Sequence, residues 1–271
     1  MTKSLTISMG SKLALLAVTA VALLGLTSPA SAATLVSPDA LQPGDLIRGQ
    51  SFSAVYYYGT DGFRYVFPND KTYFTWYSNF DSVKWLSDKD LSSIQIGGNV
   101  TYKPGVRMIK INSDPKVYAV GAGGTIRALV SETVASGLYG SDWNKKIDDV
   151  PDGFFPNYKI GKSIEIATGF SVTAETAEAK DINTDKSLKA ATKVSISNSA
   201  FSPASITIPA GTAVRFTNND STNHSASAND NSWGTGTLGA GKHFSRYFKE
   251  AGTYTYTCSY HPSMKGTIIV Q

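Results

Sequence analysis

From Lys193 to the end of the chain, apolar positions alternate with hydroxyl-bearing ones. Val194 and Ile196 alternate with Ser195 and Ser197, Ile206 and Ile208 flank Thr207, Val214 and Phe216 flank Arg215, and Ile268 and Val270 close the chain. Period two places such residues on one face of a strand, so each segment reads as a half-buried β-strand. Turn residues separate them: Pro209-Ala210-Gly211, Asn218-Asn219-Asp220, Gly239-Ala240-Gly241 and Ala251-Gly252. Many short strands between frequent turns, over about 80 residues, predict an antiparallel sandwich or barrel.

An earlier region, from about Leu46 to Gly161, is also β-rich but aromatic. Val55-Tyr56-Tyr57-Tyr58, Gly59-Thr60-Asp61-Gly62 and Phe63-Arg64-Tyr65-Val66-Phe67 read as strand, turn and strand. The scheme recurs 62 residues on, from Val55 to Val117, with Gly121-Ala122-Gly123-Gly124 as the turn and Thr125 to Val130 as the second strand. Tyr77 and Tyr139 share that offset, each preceded by a short helical stretch. Two copies of a hairpin-plus-helix unit predict an internally duplicated domain. The aromatic runs Tyr56–Tyr58 and Tyr73–Tyr77 read first as strand and core packing, with a sugar-stacking or docking surface as the alternative. Asp61, Asp70, Asp81, Asp88 and Asp90 read as scattered turn residues, not as a spaced catalytic pair. Between the two regions, residues 166–191 mix Ala, Thr, Glu, Lys and Asp without apolar periodicity. That composition suits a tether, or a peripheral helix packed on one neighbour.

The first 32 residues follow a different plan. Lys3 and Lys12 precede an apolar stretch from Leu13 to Leu26, too short to span a bilayer, and Ala30-Ser31-Ala32 offers a small-residue cleavage pattern. The expected organisation is therefore a signal peptide over 1–32, a duplicated β-rich domain over 33–165, a linker over 166–191 and a sandwich over 192–271. No integral membrane segment is expected after cleavage, and the location is periplasmic or extracellular, at the cell surface. Composition narrows the chemistry. With 25 Lys+Arg against 21 Asp+Glu, and two of those lysines in the signal, there is no electrostatic case for nucleic acid. One cysteine excludes an internal disulfide and all multi-cysteine metal sites, and three histidines exclude enzymes needing many imidazoles. No histidine precedes His224, so the aromatic domain holds no Ser–His–Asp set.

The remaining chemistry is concentrated near the end. In Thr253-Tyr254-Thr255-Tyr256-Thr257-Cys258, alternation puts the tyrosines and the thiol on one face and the threonines on the other. His261 and Met264 follow at steps of three, close enough for a tight loop to turn them toward the sulfur. A thiolate, an imidazole and a thioether form a soft donor set that selects copper over magnesium or calcium. A His₂Cys plane with a weak axial Met needs a second imidazole, for which His224 and His243 are the candidates. His243, beside Lys242, reads more simply as a partly exposed surface residue.

Phe201-Ser202-Pro203, Pro209-Ala210-Gly211-Thr212, Asn218-Asn219-Asp220, His224, Gly252-Thr253-Tyr254, Cys258, His261-Pro262, Met264 and Gly266 stand in the order found in cupredoxins. Residues 192–271 resemble the plastocyanin and amicyanin branch of these type 1 blue copper proteins, and Cys-x-x-His-x-x-Met is similar to the short ligand loop of amicyanin. The resemblance implies an eight-stranded Greek-key sandwich holding one copper through His224, Cys258, His261 and axial Met264. It implies one-electron transfer between redox donor and acceptor proteins, and a carrier instead of an enzyme. Phe216 stands where many relatives carry Trp, and Ser225–Lys242 does not match closely. Two rival readings are a copper carrier or store, and a surface-binding protein that uses the sandwich as an interaction module. The aromatic domain is the expected point of envelope contact.

Overall fold

The computed structural model describes residues 34–271. The expected signal peptide lies outside the described residues. None of the described helices is long and apolar enough to cross a membrane.

The 62-residue repeat is a structural repeat. In the first unit, β1 (Leu46–Gly49), β2 (Tyr56–Tyr58), β3 (Arg64–Val66), β4 (Lys84–Leu86) and β5 (Ile96–Asn99) form a sheet in the order β4-β1-β2-β3-β5. In the second, β6 (Met108–Ile111), β7 (Asp114–Gly121), β8 (Thr125–Ala128), β9 (Ile147–Asp149) and β10 (Lys159–Ile160) take the same order, β9-β6-β7-β8-β10. The antiparallel centre and the two parallel flanking pairs also correspond. Helices α1 (Asp70–Trp76) and α3 (Glu132–Tyr139) occupy equivalent places, and α2 (Asp88–Ser93) lies before β5. Asn69 and Ser131, 62 apart, cap α1 and α3 by accepting the N–H groups of Thr72 and Val134. A side-chain oxygen here pairs a donor that the first helical turn leaves open.

Most of the aromatic runs are core. Tyr57, Tyr58 and Tyr73 are buried, whereas Phe74 stays half exposed. The segment left open between tether and packed helix contains α4 (Val172–Glu178) and α5 (Ile182–Asp185). Ile182 is fully buried with the aromatic cluster of the first unit. The two repeat turns have different neighbours. The second turn donates Ala122 N–H to Glu175 at 2.7 Å and Gly123 N–H to Asp185 at 2.9 Å.

The C-terminal sandwich has eight strands in two sheets. One contains β11 (Thr192–Ser197), β12 (Ala200–Ser202), β14 (Thr212–Asn218) and β16 (His243–Phe248), in the order β12-β11-β14-β16. The other contains β13 (Ser205–Ile208), β15 (Ser227–Ala228), β17 (Gly252–Thr257) and β18 (Lys265–Val270), in the order β13-β18-β17-β15. Apolar residues from both sheets meet in a core centred on Phe216, Trp233, Tyr256 and Ile268. Each such side chain, fully buried, contributes roughly 1.5–3 kcal/mol. Gly266 pairs across from Tyr256, and a Cβ there would occupy the tyrosine ring.

The outer face of the first sheet lies against the first repeat unit. Phe63 stacks on Tyr247 at 4.7 Å, Gln95 accepts Ser245 N–H at 2.9 Å, and Lys242 pairs with Asp90 at 3.2 Å. At the centre, Asp61 is fully buried and accepts from the hydroxyls of Tyr65 and Tyr247 and from Phe63 N–H. Burial foremost, then the hydrogen bond to this carboxylate, pushes both phenols far above their ordinary range, so they remain donors. Gly62 beside it has φ +81°, the left-handed region, and Ser245 Oγ would sit 3.0 Å from an added Cβ. Asp61 does lie in a turn, as the sequence suggests, but it acts as the polar anchor of an interface. Asp61→Ala would remove the acceptor shared by Phe63 N–H and the two tyrosine hydroxyls, leaving those hydroxyls only each other, and should lower folding stability by about 1–3 kcal/mol, visible as a lower urea midpoint.

Candidate metal centre

The site forms where two loops meet at one end of the sandwich. The first follows β14. Asn218 is fully buried and ties this loop down, donating from Nδ2 to Thr222 O at 2.7 Å and Leu238 O at 2.8 Å. Its Oδ1 accepts Asp220 N–H at 2.9 Å. His224 then exchanges two backbone hydrogen bonds with Leu238, at 3.0 and 2.8 Å. Its ring is fully buried, with Nε2 3.1 Å from both Thr222 Oγ1 and Asp220 Oδ2. Those partners leave Nδ1 facing the interior, 3.7 Å from Cys258 Sγ. Asp220 also accepts the N–H groups of Ser199 and Asn198, which hold its carboxyl below the usual range. It therefore faces His224 as a carboxylate.

The second loop follows β17. The alternation read from the sequence is present: Tyr256 and Cys258 are buried, while Thr253 and Thr255 are exposed. Beyond the strand the chain closes on itself. His261 N–H donates to Cys258 O at 3.2 Å, Met264 N–H to His261 O at 2.9 Å, and Cys258 N–H to Met264 O at 3.2 Å. These turns bring His261 Nδ1 to 3.8 Å from the sulfur. The ligating atoms of His224, Cys258 and His261 all lie within 4.8 Å of one another. Met264 is buried in the same cluster as Cys258. All four residues expected from the sequence thus belong to one region of the fold.

The donor set fits copper. Sulfur and imidazole nitrogen are softer donors than the oxygen cages that hold magnesium or calcium, and among the described residues no carboxylate joins this group. The thiol is fully buried and accepts Ser225 N–H at 3.4 Å. Ser225 Oγ in turn accepts Ser259 N–H at 2.9 Å, which locks the two loops together. His261 alone among the imidazoles of the group is partly exposed, beside exposed Tyr260 and Pro262.

The other candidate imidazole is elsewhere. His243 lies on the outer face of β16 and is buried, contrary to the surface position expected for it, because the first repeat unit covers that face. Burial, then the cations Arg215 and Lys242, pushes it down to about 4. Sequence reasoning assigned no role to Ser225, Thr222 or Asp220. The only signal was the Asn218-Asn219-Asp220 turn, because hydrogen bonds across two loops leave no spacing pattern.

Residues 164–270 match the family model of a cupredoxin-like domain. That span begins upstream of β11 and takes in α4 and α5. No curated protein matches the chain. Among solved structures, the chain is similar to a copper-containing nitrite reductase from Thermus scotoductus SA-01, at 33% identity and TM-score 0.29, over 30% of this chain and 22% of that one. It is similar to a purple cupredoxin from Nitrosopumilus maritimus at 30% identity and TM-score 0.28, over 30% of this chain and 99% of that one. It is also similar to a reduced amicyanin variant at 24% identity and TM-score 0.29, over 30% of this chain and 82% of that one.

Two outcomes follow from the geometry. Asn218→Leu leaves Thr222 O and Asp220 N–H unpaired and takes one of two donors from Leu238 O, so the copper-free protein should lose about 2 kcal/mol, and loaded copper should leave faster to a chelator. For His243, the folded-state value of about 4 lies below the ordinary 6.5, so the unfolded chain binds the extra proton between them. Stability should fall as pH drops from about 6.5 to 4 and flatten below. Urea midpoints of His243→Gln should show less of that slope.

Proposed function

With residues 164–270 belonging to the cupredoxin family, we propose that this protein is an exported carrier of single electrons. The observation that carries the reading is the convergence of His224, Cys258 and His261 within 4.8 Å in a buried pocket of the sandwich. The cofactor is a single copper ion, which when bound supplies one-electron exchange between Cu(I) and Cu(II). His224, Cys258, His261 and Met264 are the residues that would hold it.

The residues around the site support transfer in three ways. The Asn218 and Ser225 hydrogen bonds hold two ligand loops in place, so little rearrangement opposes a change of charge. The buried thiol and the rings of Phe216, Trp233 and Tyr256 keep water from the sulfur side. His261 offers a partly exposed edge at which donor and acceptor proteins would dock. Four side chains supply the donors, which suits a carrier in preference to a catalyst with a substrate position. We assign the protein to the periplasm or cell surface from its N-terminal sequence, with the duplicated domain as the region that contacts the envelope.

The test is a visible absorption spectrum of residues 33–271 after one equivalent of Cu(II). We expect an intense charge-transfer band that is lost in Cys258→Ser and shifts in Met264→Leu. A copper spectrum indifferent to Cys258 would refute the assignment. Fast loss of copper to a Cu(I) chelator, with slow electron exchange, would favour a copper carrier.

A further inference from the structure

The outer face of the sandwich carries charges that the metal centre does not use. Lys193 on β11 and Arg215 on β14 are register partners in a parallel pair. Their neighbours Val194 and Phe216 point into the core, so both cations stand side by side on the face turned toward the first repeat unit. Like charges placed across from each other destabilise a sheet. Among the described residues neither cation has a carboxylate partner. Arg215 uses one donor on the hydroxyl of Tyr58, and among the described residues its other guanidinium N–H groups have no acceptor.

Both side chains line a cleft of about 520 Å³ between the sandwich and the first repeat unit. That volume lies within the range of small-molecule sites, which favour domain interfaces. Thr217 and Asn219 continue the polar row on the sandwich side, and the Gly59–Thr60 turn forms the facing wall. Asp39 is the one carboxylate in the lining, and it is exposed. The cleft therefore carries two cations against one exposed carboxylate.

We propose that this cleft binds a small polar molecule through an oxyanion group, carboxylate or phosphate, held between Arg215 and Lys193. A planar guanidinium matches two oxygens of either group, and the ammonium adds a point charge beside it. Bound anion would relieve the repulsion of the adjacent cations, which gives the pair a reason to be kept together. The site lies on the covered face of the sandwich and does not depend on the metal.

The test is calorimetric titration of the copper-loaded chain with inorganic phosphate and, separately, with glucuronate at low ionic strength. We expect one saturable site for at least one probe. Preference for phosphate identifies a phosphoryl ligand, and preference for glucuronate an acidic sugar. Arg215→Gln should abolish binding. Because that change also removes the Tyr58 contact, Lys193→Gln is the decisive variant: it disturbs no protein hydrogen bond and should weaken binding by roughly 10-fold. Absence of saturable heat with both probes, unchanged affinity in Lys193→Gln, or equal suppression by chloride at the same concentration would overturn the proposal.

Discussion

The joining of two loops through Ser225 underlies the arrangement at the end of the sandwich. Its N–H points at the Cys258 sulfur and its hydroxyl accepts the N–H of Ser259, so one residue fixes the cysteine strand relative to the histidine turn. That link extends the pairing of β15 with β17, at Ser227 and Thr257, up to the two ligands His224 and Cys258. The buried Asn218 has the same role a turn earlier, donating to Thr222 O and adding a second donor to Leu238 O. A site built this way is organised by backbone hydrogen bonds before any ion arrives.

A second constraint acts on the other side of the first sheet. A sandwich strand that alternates core and surface residues would normally turn Arg215, His243, Ser245 and Tyr247 to water. Here the first repeat unit covers them, and Asp61 supplies the acceptor that the tyrosine hydroxyls need in a dry interface. The duplication uses its turns differently: the Gly59–Gly62 turn docks on the sandwich, and its counterpart at Gly121–Gly124 takes up Glu175 and Asp185. The same backbone device thus serves two neighbours, with an acidic side chain involved each time.

These two constraints divide the sandwich by function. The loop end carries the soft donors and keeps only His261 near the surface, while the covered face carries the unmatched cations and the cleft. Asn218 and Asn219 sit at the boundary, one side chain turned to the histidine loop and the other to Ser195 at the cleft wall.

Local periodicity was enough to read much of this chain. The Tyr-x-Tyr-x-Cys alternation, the steps of three to His261 and Met264, and the 62-residue offset from Val55 to Val117 are properties of neighbouring residues, and each reappears in the fold. Choosing His224 over His243 needed the family resemblance, because both lie near turns. What the sequence could not express was who covers whom. His243 reads as a surface residue and Asp61 as an ordinary turn aspartate, because polarity predicts exposure until a distant segment removes the water. The Lys193–Arg215 pair likewise becomes visible only once β11 and β14 are in register. Strand pattern and ligand spacing follow from backbone geometry over a few residues. Burial of polar groups follows from contacts between segments far apart in the chain, and only the tertiary structure decides those.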